Sequence, residues 1–196
     1  MGMAPQTIKW TADMLRSLPD DGKQYEIVDG ELLVTPAPSW RHGNAVSELY
    51  VPLYNYCRSS GVGYAKISPQ DVEFDNHNVV EPDLFVVPLV GGAKPLSWEE
   101  VGRLLVAIEI PSPSSARSDR ITKRRLYQRR GVPEYWVVDI EARLVERWRP
   151  DDERPEILAD HLVWQPDPAA LAFELDLPAY FAEVLGAEPG PPHSSR

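Results

Sequence analysis

The sequence is poor in the residues that build disulfides and zinc sites. It contains one cysteine, Cys57, and four histidines among 196 residues. A single cysteine excludes an internal disulfide and any zinc cluster built on cysteine. The position of Cys57 in a segment of helical character predicts a small buried side chain rather than a reactive thiol.

Long apolar runs are also missing. No run approaches the roughly 20 residues that a membrane-spanning helix needs. The opening stretch "MGMAPQTIKW" has no apolar core of the kind found in secretory signals. We therefore expect a protein of the cytoplasm with no membrane partner.

Positive charge is scarce in the chain as a whole. Twenty Lys and Arg residues face thirty Asp and Glu residues, so the formal net charge is -10. This charge argues against a protein that coats nucleic acid through bulk electrostatics, but it leaves room for a local basic face.

The remaining pattern predicts one α/β domain over residues 1–186 and a disordered tail over 187–196. Asp29-Gly30, between two apolar runs, predicts a β-hairpin near the N-terminus. The run 104–110, a helix over 118–130 and the strand "PEYWVVDI" together predict a parallel crossover. Helical character over 39–59 is interrupted by Pro52, which indicates a kink or two pieces, and a short helix is expected from Ser97.

Two acids stand where apolar strands begin or end. Asp83 opens the run "LFVV" after Pro82, and Glu109 closes "LLVAI". Neighbouring strands can bring two such carboxylates together, and like charges that close need a shared cation or a raised pKa. Oxygen ligands without clustered histidine favour Mg²⁺ or Mn²⁺. In the alternative, Asp83 only caps a turn and Glu109 pairs with an arginine.

The helix after Glu109 concentrates both acid and base. Asp119, Lys123 and Tyr127 follow one another at i, i+4 steps and therefore share a face. Basic residues crowd the same segment, which would suit a phosphate backbone, although a solvated helix face is the commoner reading. The basic residues are Arg117, Arg120, Lys123, Arg124, Arg125, Arg129 and Arg130.

The segments "YEIVDGEL", "PSWRH", "EPDLFVV", "AIEIPSPSS" and "DRITKRRLYQRRGVPEYWVVD" together resemble the bacterial Uma-type family, which is classed with restriction endonucleases of the PD-(D/E)XK superfamily. The resemblance implies a restriction-endonuclease-like core, in which helices flank a central mixed β-sheet, with an N-terminal hairpin. It also implies that Asp83, Glu109 and the carbonyl of Ile110 hold Mg²⁺ or Mn²⁺. Pro111 stands where the superfamily has its lysine, so Lys123 is expected to take that place.

The resemblance suggests further site residues. Glu31, with Glu26 behind it, is a candidate for an additional acid, against the simpler reading of a hairpin charge. His42 is a candidate site residue or a helix-terminal histidine, and Tyr127 shares the face of Lys123. The expected nucleic-acid contacts are Arg117, Arg120 and Arg124.

These residues and the resemblance predict a metal-dependent endonuclease, with DNA as the expected substrate. The resemblance to the superfamily also implies a homodimer. The alternative is a non-catalytic module that keeps the fold and binds nucleic acid or protein. A salt bridge that engages Asp83 or Glu109 would favour the alternative, whereas Asp83 and Glu109 carboxylates within reach of one ion, with the Lys123 amine nearby, would favour the enzyme. Strandedness and sequence specificity stay open at this point.

Overall fold

A six-stranded mixed sheet lies at the centre of the computed structural model, which describes residues 8–186. Strands β7 and β8 are parallel and the other neighbouring pairs are antiparallel. This arrangement confirms the predicted α/β fold with a central mixed sheet. In the order in which they pair, the strands are β10 (Glu156–Leu158), β9 (Leu144–Trp148), β8 (Tyr135–Asp139), β7 (Val106–Glu109), β6 (Leu84–Val87) and β3 (Tyr64–Ile67).

The three middle strands are buried on both faces. Every residue of β6 and β7 is buried, as is all of β8 except Asp139. Uninterrupted apolar runs are typical of strands that are covered on both sides by other elements.

The N-terminal hairpin belongs to a second sheet of four antiparallel strands. Its turn at Asp29-Gly30 has positive φ at both residues, 55° and 83°, which the hairpin turn requires and which glycine adopts without steric cost. The strand order is β2 (Glu31–Thr35), β1 (Gln24–Val28), β5 (Asn78–Val80) and β4 (Val72–Asp75). Strands β11 (His161–Trp164) and β12 (Phe173–Asp176) form a separate hairpin.

One long helix, α2 (Trp40–Ser60), follows the first hairpin, and the short helix α1 (Ala12–Arg16) precedes that hairpin. The Ser39 side chain caps the start of α2, and Gly61 ends it at φ 71°. Of the two outcomes predicted at Pro52, a kink or two helical pieces, the division into two pieces is wrong, because the helix continues through it. Pro52 is only half-buried, so water can reach the carbonyl of Glu48 that the proline leaves without its donor.

The crossover from β7 to β8 contains the predicted helix in two forms. Residues Ser118–Lys123 form a π-helical turn, which passes directly into α3 (Arg124–Arg129). The helix expected from Ser97 is wrong. That segment forms turns, in which the Trp98 carbonyl accepts hydrogen bonds from the amides of Val101 and Gly102.

The central sheet separates two apolar cores. Helix α2, α4 (Leu177–Leu185) and the β11–β12 hairpin cover one face, around Trp136 and Leu53. Helix α3 and the four-stranded sheet cover the other, around Tyr135 and Val80. None of the helices described is both long enough and apolar enough to cross a membrane. The predicted tail over 187–196 lies outside the described residues.

Candidate active site

The pairing of β6 with β7 brings Asp83 and Glu109 side by side. Leu84 lies opposite Ile108 in the register, so the next positions along the two strands are Asp83 and Glu109. Both carboxylates are buried, with exposed fractions of 9% and 3%. The Ile110 amide donates a hydrogen bond to Oδ2 of Asp83 at 2.8 Å, which fixes that carboxylate at the end of the strand.

Lys123 points inward from the π-helical turn, to the place where the sequence predicted it. Its Nζ lies 3.0 Å from Oε1 of Glu109, 2.6 Å from Oε2 of Glu26 and 3.5 Å from Oδ1 of Asp119. The residue is 3% exposed. One ammonium group therefore joins carboxylates from β1, β7 and the crossover helix.

Of the two hairpin acids, Glu26 lies beside Lys123 and Glu31 does not. Glu26 is 1% exposed and its Oε1 accepts a hydrogen bond from the Glu81 amide at 2.8 Å. Glu31 is exposed at the start of β2, so its role as an additional acid stays a prediction. The apolar neighbours of Glu26 in "YEIV" are the signal that marks a buried acid, by the same reasoning that singled out Glu109.

Asp119 and Tyr127 complete the cluster, as their spacing predicted. Tyr127 donates a hydrogen bond through its hydroxyl to Oε1 of Glu109 at 3.3 Å. Among the described residues, Oδ1 of Asp119 is buried without a hydrogen-bond partner, with only the ammonium of Lys123 nearby. A buried carboxylate oxygen in this condition is costly unless a proton or a cation satisfies it.

The cluster contains more acid than base. Burial raises the pKa of Glu109 well above its usual value; the charge of Lys123 opposes this rise, and the nearby Asp119, Asp83 and Glu26 add to it. Burial likewise raises the pKa values of Glu26 and Asp119. Burial alone would lower the pKa of Lys123, but the surrounding carboxylates hold it well above its usual value. Lys123 therefore stays charged, and the excess acid must hold a proton or bind a cation.

His42 lies at the outer edge of this cluster. Its Nε2 is 3.1 Å from Oδ2 of Asp83. Ser39 caps the helix and accepts from the His42 amide, which places the imidazole on the first turn of α2. Burial lowers the pKa of His42, but the hydrogen bond and charge of Asp83 outweigh it, so the pKa is raised and the imidazolium form is favoured.

An open cleft of about 650 Å³ gives access to these groups. The acids Asp83, Glu109 and Asp119 line it, together with Lys123 and His42. The loop that joins β2 to α2, the loop after β3 and the serine-rich loop after β7 form its walls. Solvent and a ligand can therefore reach a charged cluster that the sheet otherwise buries.

The donor chemistry of the cluster fits a hard divalent cation. Carboxylate oxygens from four acids converge, one of them without a hydrogen bond, and Mg²⁺ and Mn²⁺ prefer such ligands. Within residues 8–186, however, no three His, Cys, Asp or Glu side chains are placed around a common point for a metal. The nitrogen of Lys123 lies between them instead. Glu109 and Asp83 are thus each paired with a basic side chain, Lys123 and His42 respectively.

The arginines expected to contact nucleic acid are not brought to the cleft. Arg120 binds Glu146 and Asp139, each at 2.5 Å. Arg124 lies over the Trp148 ring, 4.5 Å from its centroid. Arg117 is exposed. None of the three lines the cleft, so their role in binding stays a prediction.

The comparison with family models decides the family. The model described as "Uma2: Putative restriction endonuclease" matches residues 12–178, which is most of the chain. The protein belongs to the Uma2 family. Membership supports a nuclease-like function and confirms the resemblance seen in the sequence.

A solved structure supports the fold of this Uma2 protein. It is described as a "putative nuclease belonging to DUF820" from Anabaena variabilis, and it is 21% identical, with a TM-score of 0.68. The match covers 89% of this chain and 98% of the other. At this identity the likeness establishes the fold. Comparison with curated proteins gave no match.

Proposed function

We propose that this protein is an endonuclease that hydrolyses phosphodiester bonds of DNA with the help of Mg²⁺ or Mn²⁺. The observation that carries the proposal is the buried cluster at the floor of the cleft. There, Glu26, Asp83, Glu109 and Asp119 outnumber the basic side chains Lys123 and His42. Buried acid in excess of base is costly in a purely structural role, whereas a cation site requires it.

Asp83, Glu109 and the carbonyl of Ile110 would hold the metal ion. When bound, such an ion lowers the pKa of water and neutralises charge on a phosphate. The hydrogen bond from the Ile110 amide to Asp83 keeps two of these three groups in a fixed relation. Lys123 holds Glu109 in place until the ion and substrate arrive.

Lys123 could act as a base toward water or as a hydrogen-bond donor to phosphate, and its raised pKa favours the second role. A lysine that stays protonated is a poor base toward water. Its ammonium can instead donate hydrogen bonds to a phosphate oxygen and stabilise the negative charge that develops there. His42 lines the cleft and Asp83 raises its pKa, so we assign to its imidazole the transfer of a proton to the leaving oxygen.

The test is cleavage of plasmid and single-stranded DNA with Mg²⁺ or Mn²⁺, by the parent and by Asp83→Ala, Glu109→Ala and Lys123→Ala. We expect metal-dependent cleavage by the parent and a loss of roughly 100-fold or more in each variant, the scale found when charge-stabilising groups are removed. Glu48→Ala, which removes an exposed acid from the helix α2, is the matched control and should cleave like the parent.

A second function is favoured by the pairing of both acids. Lys123 and His42 satisfy Glu109 and Asp83 without a metal, as expected of a module that keeps the fold but not the chemistry. Absence of cleavage on every substrate, together with no heat of Mg²⁺ or Mn²⁺ binding in calorimetry, would establish this non-catalytic module. The homodimer and the cytoplasmic location expected from the sequence stay predictions.

A further inference from the structure

Trp40 is an apolar side chain without a structural role. Its indole is 87% exposed, whereas the other five tryptophans are buried or half-buried. An indole left almost wholly in water buries little apolar area and so contributes little to the stability of the fold. This makes Trp40 a candidate contact for a ligand.

The position of Trp40 places it at the rim of the cleft. It is the first residue of α2, and its neighbours Ser39, His42, Gly43 and Ser47 all line the cleft. Gly43 and Ser47, three and seven residues further along, lie on the same side of the helix as Trp40. Trp40 does not itself line the cleft, but it directly follows the loop 36–39, whose residues do.

The composition of the cleft indicates what the indole would meet. Its outer wall is mostly apolar: Pro36, Ala37, Pro38, Ile67, Pro69 and Pro113. Among its described lining residues there is no arginine, and several are acidic. A duplex carries one negative charge per ~1.7 Å of axis and a single strand half of that density. An acidic cleft with apolar walls is therefore better suited to one strand.

We propose that Trp40 stacks on an unpaired base beside the phosphate that enters the cleft, so that the substrate is single-stranded nucleic acid. The inference rests on the proposed nuclease function. Aromatic side chains at the edge of a groove bind successive bases of single strands by stacking, whatever the sequence. In a duplex the faces of the bases are covered by their neighbours, and Trp40 would find no face to contact.

The experiment compares the parent with Trp40→Ala and Trp40→Phe on a labelled 20-nucleotide strand and on the same strand in duplex form. For the single strand we expect Trp40→Ala to raise KM by roughly tenfold or more with kcat little changed, the scale of one lost stacking contact. Trp40→Phe should restore most of the affinity. Leu171→Ala, which truncates another side chain that is 87% exposed, is the matched control.

The outcomes separate this inference from the proposed function. Equal KM values for the parent and Trp40→Ala, or a duplex cleaved as readily as the single strand, would overturn the stacking role and leave the nuclease intact. A Trp40→Ala variant that loses self-association in sedimentation but keeps its KM would assign the indole to a contact between two copies instead. Cleavage failing on every substrate refutes the nuclease, and fluorescence anisotropy of the labelled strand then still decides whether Trp40 contributes to binding.

Discussion

A single buried ammonium group holds the candidate site together at the residue scale. Lys123 is the common partner of Glu26, Glu109 and Asp119, which come from three elements. Removing one partner of a buried ion pair is far more costly than the pair itself is worth, because the other charge is left in an apolar surrounding. The three carboxylates therefore make Lys123 a structural residue as well as a chemical one.

This role predicts how stability depends on pH when the charge is removed. We expect Lys123→Met to lower the free energy of unfolding by about 3–5 kcal/mol near pH 8 and by clearly less near pH 5. The pKa values of Glu26, Glu109 and Asp119 are already raised in the folded protein, and losing Lys123 raises them further. A folded-state acid with a raised pKa gives stability below its unfolded pKa and loses it as the pH rises, so the deficit grows with pH.

Urea unfolding at pH 5 and pH 8 measures this difference. Lys66→Met, at a half-buried lysine that binds only Gln70 by a side-chain hydrogen bond, serves as the control and should show a small effect without this pH trend. A deficit in Lys123→Met that stays constant between the two pH values would mean that the three acids do not depend on this charge.

At the scale of elements, the sequence predicts those acids that stand at the end of an apolar strand. Asp83 and Glu109 interrupt apolar runs, and burial of those runs on both faces left the two charges in need of a partner. The i, i+4 spacing likewise predicted Asp119, Lys123 and Tyr127 on one side. The apolar neighbours of Glu26 mark it as a buried acid, but its pairing with Lys123 could not be predicted, because the pairing depends on how the hairpin docks against the crossover helix.

The approach of β3 to the central sheet gives a test of packing between elements. A Cβ atom at Gly63, just before β3, would lie 2.6 Å from the carbonyl oxygen of Val87 and 2.9 Å from Cγ1 of Val86. Gly63→Ala should therefore destabilise the protein by about 1–3 kcal/mol and lower Tm by roughly 3–10 °C.

Gly43 offers the matched substitution in an open position. A Cβ atom there meets nothing within 4 Å, and the residue lies inside α2. Gly43→Ala should raise stability by about 0.5–1 kcal/mol, since alanine favours the helix. Thermal unfolding of both variants measures the two changes in stability. A Gly63→Ala variant as stable as the parent would show that β3 can shift without a loss of stability.

At the scale of the whole molecule, the crossover and the mixed sheet follow from the sequence, but the division into two large sheets does not. Strands β4 and β5 join the sheet of the first hairpin. Strands β3 and β6, which are their neighbours along the chain, join the central sheet. Periodicity indicates most of the strands but not β12, and partners distant in sequence are set by packing. The pairing of Arg120 with Asp139 and Glu146 was hidden for the same reason.

Binding of a metal should be visible in the stability of the entire chain. With Mn²⁺ at 100 times its dissociation constant, we expect about 2.7 kcal/mol of stabilisation and a rise in Tm of roughly 5–10 °C. At one fixed Mn²⁺ concentration, the rise should be larger at pH 8 than at pH 6, because the pKa of Glu109 is raised and Glu109 must lose its proton to bind the ion.

Differential scanning calorimetry with and without Mn²⁺ gives the measurement. Glu109→Gln and Asp83→Asn should abolish the shift, while Glu48→Gln should retain it. A shift of equal size in all four proteins would locate the metal elsewhere on the surface.

The candidate site joins two sheets that are distant along the chain. Glu26 belongs to the four-stranded sheet and Glu109 to the six-stranded one, and Lys123 bonds to both although it follows Glu26 by nearly a hundred residues. A chain still emerging from the ribosome thus has its first acid long before the lysine and the rest of the cluster. The cluster is therefore assembled only after the hairpin, the central sheet and the crossover helix have packed together, and a partly folded chain lacks it.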